Sequence, residues 1–179
     1  MSLKANVPYI DSILSPWKPV IADDYESYRN HVIRMSNFCL LLKDCDAEEQ
    51  QKIEIAACFH DIGIWTQNTL DYLSPSIPPT RQYLKKNGLS HWEEEICLMI
   101  IEHHRIRSIK DYESPLIELF RKADLVDFSN GLVTFGLTKA VIAEVKKAFP
   151  TKGFHWMLVK KTGSWLLEHP LRPAPMMKW

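Results

Sequence analysis

A histidine and an aspartate stand side by side at the end of an otherwise apolar run of the chain. The run is Glu54 to Ile64, and the pair is His60-Asp61. At helical spacing Ile53 and Ala57 share one face with His60, so the histidine should point into the core while Asp61 leaves the helix as it ends. An ionised carboxylate beside a buried imidazole is costly unless something pairs with it, and a metal ion is such a partner.

Two more ionisable residues are predicted to face the core from other helices. His31 lies on the apolar side of an earlier helix with Met35, and Asp124 shares an inward stripe with Phe120. Alone, each histidine is more often a packed core residue, and each aspartate a helix cap or a surface ion pair. Together, on helices that share one small core, they form a mixed nitrogen and oxygen set. Such a set suits Mn, Fe, Co, Ni or Zn better than Ca or a thiolate-bound metal.

The elements that must position these residues are all predicted to be helices. Their starts carry a capping side chain followed three residues later by Glu, or directly by Pro: Asp23 with Glu26, Asp46 with Glu49, Ser90 with Glu93, and Ser114-Pro115. The predicted helices span about 23–43, 46–60, 81–86, 90–105, 134–149 and 154–168, with another from 114. No strand and no internal repeat is evident. The sequence therefore predicts one all-α domain, a helical bundle.

Two proline-rich stretches interrupt this pattern. Residues 66–80 lose the helical periodicity, so we expect a loop there, of the kind that serves as a lid or binding loop. Residues 1–22 are predicted to form an irregular lead-in with one short helix. The predicted division is thus a lead-in, a metal-binding core over 23–130, and C-terminal helices and a tail over 131–179 that pack on the same domain.

The order of the four residues resembles the signature of the HD-domain superfamily of metal-dependent phosphohydrolases. The resemblance covers about residues 25–130, and the neighbours match as well: Tyr-Arg-Asn-His-Val-Ile-Arg-Met, Ala-Ala-Cys-Phe-His-Asp-Ile-Gly and Arg-Lys-Ala-Asp-Leu-Val-Asp. It implies a helical bundle that binds a divalent metal ion, with His31, His60 and Asp124 as terminal ligands. Asp61 would be both a ligand and a catalytic residue, and in two-metal members the equivalent aspartate bridges the ions. The implied reaction is phosphate ester hydrolysis by metal-activated water.

Members of this superfamily with two metal ions use further histidines, one ahead of a helix and others in a His-His pair. His103-His104 fits the pair, but His91 lies only 12 residues before His103 on the same predicted helix. The expected position of the extra histidine reads Ile77-Pro78-Pro79. We therefore expect one ion per chain (Mn, Fe, Co, Ni, Zn or Mg) rather than two. His103 or His104 would bind phosphate or act as general acid, unless one merely caps the helix and the other packs.

Phosphate recognition would require cations near this centre. The candidates are Arg81, Lys85, Arg105, Arg107 and Arg121. We expect Arg105 and Arg107 to bind the substrate, because they follow the histidine pair. Two further aspartates are of interest. Asp71 could act as an outer-sphere acid, and Asp127 either orients a histidine ligand or lies on the surface.

Composition restricts the partners. Lys plus Arg equals Asp plus Glu, so no long-range field favours nucleic acid or an anionic membrane. No signal-peptide pattern and no apolar run of 18 residues is present, and the four cysteines have no CxxC spacing. The sequence therefore predicts a cytoplasmic protein with reduced thiols. A small phosphorylated molecule is the expected partner, and the oligomeric state is open.

Three functions are compatible with these residues. The leading one is a metal-dependent phosphohydrolase that acts on a small phosphorylated metabolite or nucleotide. A second keeps the metal but acts on a small non-phosphate substrate, as an HD-type hydratase or oxygenase, which Trp65 and Tyr72 beside the loop would suit. A third is a ligand-binding HD module without catalysis. Four buried ionisable positions argue against the third, because a binding module has no need of them.

Overall fold

The chain folds into α helices joined by short connections. The computed structural model describes residues 4–110, 112–172 and 174–177, and this part contains no strand. The α helices are α1 (Val7–Leu14), α2 (Lys18–Ile21), α3 (Tyr25–Leu42), α4 (Ala47–Phe59), α5 (Gly63–Thr66), α6 (Leu73–Lys86), α7 (Glu93–Glu102), α8 (Pro115–Phe128), α9 (Lys139–Ala148) and α10 (Phe154–Glu168). Three 3-10 turns lie at Ser15–Trp17, Ala22–Asp24 and Ser90–Trp92. The predicted all-α, single-domain fold is confirmed.

Helix α3 lies at the centre of the bundle. It packs against α1, α4, α8, α9 and α10, and α7 closes the other side against α4, α6 and α8. Because it has neighbours on nearly every side, most of α3 is buried, polar residues included. No helix within the described ranges has the length and apolar character needed to cross a bilayer.

Two of the predicted helix starts are confirmed and two are wrong. Asp46 and Glu49 form the capping box of α4, and Ser114 caps α8. Before α3 and α7 the chain instead forms the 3-10 turns at 22–24 and 90–92, and neither helix has a side-chain cap. A capping residue needs extended backbone, whereas Asp24 and Trp92 are already helical in φ and ψ. Helix α7 also ends at 102 rather than 105, and α9 begins at 139 rather than 134.

The expectation of a loop over residues 66–80 is wrong, because α6 begins at Leu73. Pro75 lies in the first turn, where its missing N–H has no helical partner to lose. Pro78 and Pro79 do lie inside the helix, one face of which is buried against the rest of the bundle. The face that packs inward consists of Leu73, Ser76, Thr80 and Leu84.

The expectation of an irregular lead-in is also wrong, since α1 and α2 occupy most of residues 7–21. Their prolines stand in the first turns of helical segments, where proline is favoured. The buried side chains of the lead-in join the main core: Ile10, Ile13, Leu14 and Ile21. The boundaries predicted at 22 and 130 stay predictions, and residues 173, 178 and 179 of the predicted C-terminal segment lie outside the described residues.

Gly63, which follows the His-Asp pair by two residues, lies where α5 meets α6. Its N–H donates to Ser76 Oγ at 3.0 Å, and that hydroxyl donates to the His60 carbonyl oxygen at 3.1 Å. A Cβ at this position would collide with the carbonyl oxygen of Tyr72 and crowd Pro75. Glycine therefore lets α6 pack directly behind the His-Asp turn.

Replacing Gly63 by alanine tests this close approach. We expect Gly63→Ala to lower the free energy of unfolding by about 1–3 kcal/mol, because the added methyl group forces backbone to shift. Urea unfolding followed by tryptophan fluorescence measures the change. The matched control is Gly163→Ala in α10, where the added Cβ meets no atom within 4 Å. Equal stability of the two variants would contradict the role of Gly63.

Candidate metal centre

Three helices bring the four predicted ligands to one point inside the bundle. His31 comes from α3, His60 and Asp61 follow the last residue of α4, and Asp124 comes from α8. None of the four is more than 4% exposed. The helical periodicity that predicted inward-facing positions for these residues therefore agrees with their burial.

The donor atoms of these residues lie close together. His31 Nε2 is 3.0 Å from His60 Nε2, and Asp61 Oδ2 is 3.3 Å from His60 Nε2. Asp124 Oδ1 is 3.7 Å from His31 Nε2 and 4.0 Å from His60 Nε2. Two donors that are each about 2.1 Å from one ion lie roughly 3–4 Å apart. The four side chains thus have the spacing of ligands to a common ion.

Hydrogen bonds fix which nitrogen of each histidine faces the centre. His31 Nδ1 lies 2.7 Å from Asp127 Oδ2, and His60 Nδ1 lies 2.8 Å from the Ala57 carbonyl oxygen. An ionised carboxylate and a carbonyl only accept, so each Nδ1 carries the hydrogen and each Nε2 presents a lone pair. Two lone pairs that face each other at 3.0 Å repel unless a proton or a metal ion lies between them.

The electrostatics of the cluster also favour a cation. Burial raises the pKa of Asp61, but the neighbouring His60 and His103 outweigh it and hold the pKa of this carboxyl well below its usual range. For Asp124 burial dominates, and its pKa is raised. Burial lowers the pKa of His60, but the Asp61 carboxylate outweighs that effect, so the pKa of His60 is raised. Two buried carboxylates therefore act on the same small volume.

His103, just after α7, extends the cluster beyond Asp61. Its Nδ1 donates to the Ile100 carbonyl oxygen at 2.7 Å, so its Nε2 lone pair points toward Asp61 Oδ1 at 3.6 Å. That separation is longer than a hydrogen bond. Both atoms are buried without a hydrogen-bond partner in the described part of the chain. Unpaired buried acceptors beside a nitrogen and oxygen donor set are what a divalent metal ion would satisfy.

His104 is held differently, because its Nε2 is hydrogen-bonded to the Tyr72 hydroxyl at 2.6 Å. Burial and the Asp61 charge raise the pKa of Tyr72 well above its usual range, so the phenol keeps its proton. Burial and His103 lower the pKa of His104, so its ring is neutral at pH 7. Asp61, His103 and His104 have donor atoms close enough to form a second group that shares Asp61 with the first.

A cavity of about 380 Å³ opens onto this centre. Its polar lining consists of His31, Asp61, Tyr72, His103, His104, Arg105, Arg121, Asp124 and Thr162. Its apolar lining consists of Ile106, Leu125, Phe128, Phe154, Leu158, Ala174, Met176 and Met177. The centre is therefore buried within the bundle but accessible to a small molecule.

Comparison with protein families matches residues 28–129 to the HD domain. The chain belongs to the HD-domain family. HD domains bind divalent metal ions, and the superfamily consists largely of metal-dependent phosphohydrolases. No curated protein and no solved structure matches the chain significantly.

Two of the five candidate cations, Arg105 and Arg121, are among the described residues that line the cavity of this HD domain. Arg105 lines the cavity, but Arg107 is exposed and is not among the described lining residues. Arg107 lies outside because α7 ends early and the chain turns away. Arg121, a candidate that the sequence analysis did not favour, lines the cavity with only 5% of its surface exposed. Its position three residues before Asp124, on the same side of α8, is the sequence signal that could have indicated this.

Two other predicted candidates lie away from the centre of the HD domain. His91 is exposed in the 3-10 turn before α7, beside Trp92. The Asp71 carboxylate is 44% exposed, lies 3.5 Å from Arg172, and is not among the described residues that line the cavity. Neither side chain is placed to act on a molecule bound at the metal centre.

Asp127 orients a histidine of the HD domain, which is one of the two roles that the sequence left open. Besides His31, it accepts from Arg34 Nε at 2.6 Å and Nη2 at 2.7 Å. Burial raises the pKa of Asp127, but these hydrogen bonds and charges outweigh it and lower the pKa. Arg34, fully buried, was not anticipated, and nor was Phe154, whose ring stacks on His31 with centroids 4.3 Å apart.

Neutralising Asp127 should destabilise the HD domain. We expect Asp127→Asn to lower the free energy of unfolding by about 3–5 kcal/mol at pH 7, since it leaves buried Arg34 without its counter-ion. A carboxyl with a lowered folded-state pKa contributes stability above its unfolded pKa and loses it as the pH falls. The difference in free energy of unfolding between the variant and the wild type should therefore shrink below about pH 4. Urea unfolding between pH 3 and 7 measures it, with exposed Asp23→Asn as control. If this difference in free energy did not change between pH 3 and 7, the link between stability and the ionisation of Asp127 would be contradicted.

Proposed function

We propose that this HD domain is a phosphohydrolase that cleaves a small phosphorylated metabolite or nucleotide with one tightly held divalent metal ion. The observation that carries the proposal is that donor atoms of His31, His60 and Asp61 lie close enough together to hold one ion, with Asp124 Oδ1 3.7 Å from His31 Nε2, beside a small-molecule cavity. When bound, the ion would supply Lewis acidity toward a phosphoryl oxygen and water.

The hydrolysis joins a water oxygen to phosphorus, breaks the ester P–O bond and moves one proton to the leaving oxygen. His103 Nε2 presents an unpaired lone pair toward the centre, so we assign to it acceptance and return of that proton. His104 is a neutral ring fixed by Tyr72, and we assign to it a hydrogen bond to the phosphoryl group. Among the two arginines predicted to bind substrate, Arg105 lines the cavity, so we assign phosphate contact to Arg105 rather than Arg107.

The arrangement of His104 supports one tightly held ion rather than two. The second donor group depends on His104, whose Nε2 is already hydrogen-bonded to Tyr72. Its Nδ1 lies 3.8 Å from Oδ2 of Asp124, a carboxylate beside the first group. A second ion bound through His104 Nε2 would therefore have to displace the Tyr72 hydroxyl.

One observation favours a second candidate function. The cavity has an extensive apolar lining, which would also suit a small non-phosphate substrate and a hydration or oxygenation reaction. Activity toward phosphate esters distinguishes the two functions. A metal-loaded protein that cleaves neither aryl phosphates nor nucleotides would exclude the hydrolase and leave this alternative.

The ligand assignment is tested by metal content and activity together. Protein purified without chelator should contain about one transition-metal ion per chain by inductively coupled plasma mass spectrometry. Asp61→Ala should lose the ion and lower the rate toward phosphate esters at least about 100-fold, since metal and proton transfer are both affected.

The control for this experiment is Asp23→Ala, at an exposed position outside the cavity. It should keep both metal and activity. About two ions per chain would make His103 and His104 ligands and would contradict the single-ion proposal. Absence of metal even after reconstitution would exclude the mechanism.

The Tyr72 hydroxyl should support catalysis through His104. Tyr72→Phe leaves Nε2 of the half-buried His104 without this partner, which costs about 1–3 kcal/mol. We expect kcat to fall about tenfold, equivalent to ~1.4 kcal/mol, with metal content unchanged. Steady-state kinetics measures the loss. Tyr83→Phe, which removes a hydroxyl bonded to Tyr9, is the matched control. Equal kcat values for the two variants would refute a role for Tyr72.

A further inference from the structure

Apolar side chains dominate the described lining of the cavity beyond the histidines and aspartates. Leu125 and Phe128 come from α8, Phe154 and Leu158 come from α10, and residues 174–177 contribute an alanine and two methionines. Three separate parts of the chain thus place apolar groups against the same small volume. A site that recognised only a hydrophilic sugar or a polyphosphate would have no use for this surface.

The apolar surface continues to the mouth of the cavity. Ile106, Phe128 and Met177 all line it, although they are 46%, 53% and 39% exposed. Single exposed apolar residues are common on soluble proteins. Three around one opening, next to a cluster of buried charges, form a concentrated apolar patch that a ligand would cover.

The charges in the cavity argue against a highly charged ligand. Arg121 makes two hydrogen bonds to Glu118, at 2.7 and 2.8 Å, and Arg105 Nη1 lies 3.8 Å from Glu102 Oε2. Each arginine that lines the cavity therefore faces a carboxylate of the chain itself. A diphosphate or triphosphate would bring several negative charges into a partly buried space with little positive charge to compensate them.

We infer that the substrate presents a single phosphoryl group to the metal centre and an uncharged, largely apolar group, aromatic or branched alkyl, to Leu125, Phe128, Phe154 and Leu158. This inference rests on the proposed phosphohydrolase function and narrows its substrate to phosphate monoesters of small apolar alcohols. The cavity volume, near the lower end of ligand pockets at roughly 300–1,000 Å³, suits a small substrate of this kind.

Binding of non-hydrolysable phosphonates tests the inference without turnover. The probes are phenylphosphonate, methylphosphonate and 2-carboxyethylphosphonate, titrated calorimetrically into the metal-reconstituted protein. Phenylphosphonate should bind at least about tenfold more tightly than either of the others, because its ring buries apolar surface. Methylphosphonate lacks that surface, and 2-carboxyethylphosphonate would place a charge on it.

Two variants test which side chains cause the preference for phenylphosphonate. Leu158→Gln should reduce the advantage of phenylphosphonate over methylphosphonate at least threefold. The matched control is Leu167→Gln on the same helix, which is 87% exposed and not among the described lining residues, and it should keep the full advantage. Phe128→Ser removes a side chain that is already half exposed, so it reports on the same surface even if Leu158→Gln fails to fold.

The outcomes separate this inference from the proposed function. The inference would be overturned by equal affinity for phenylphosphonate and methylphosphonate, by tight binding of 2-carboxyethylphosphonate, or by no binding of any probe. In each of these cases, cleavage of phosphate esters would still support the hydrolase function. A preference for phenylphosphonate that the Leu158 or Phe128 variant removes would support the inference, even if no ester is cleaved and the hydrolase function fails.

Discussion

The Asp127 carboxylate, buried between α3 and α8, accepts hydrogen bonds from both His31 and Arg34. Because it is ionised and can only accept, it determines which nitrogen of the His31 ring meets the other ligands. The same charge allows a guanidinium to stay fully buried, and that guanidinium reaches the Phe149 carbonyl oxygen at 2.9 Å. One buried carboxylate therefore couples the geometry of the metal centre to the packing of α3 on α8.

Around this charged centre the environment is apolar. Phe154 stacks on His31, and Phe120 packs edge-on against His60. Low polarity strengthens each interaction between the ligands and a bound cation, and it makes the cluster costly without one. The apolar walls of the cavity place any molecule that binds beside the centre in the same environment of low polarity. The apolar packing that favours a cation at the cluster thus also supplies the walls of the cavity beside it.

Sequence reasoning succeeded where local chemistry decides the structure. A 3.6-residue period was sufficient to predict that His31 and Asp124 face the core, because apolar burial sets that period. It failed where the decisive contacts are distant. Arg34 contacts a carbonyl group 115 residues away, and no local pattern indicates that partner. Proline misled the prediction of α6, since Pro78 and Pro79 lie inside this helix although proline usually breaks one.

The turn between α9 and α10 is held by side chains of α3, because Arg34 donates to the Phe149 carbonyl oxygen and Asn30 Nδ2 donates to that of Pro150 at 2.8 Å. These acceptors lie beyond residue 129, where the match to the HD domain ends. A chimera that replaced this region with the corresponding part of another HD protein would have to supply two carbonyl groups at the same points. Every residue carries a carbonyl group, so what α3 constrains in the C-terminal third is the path of the backbone at this turn rather than its side chains.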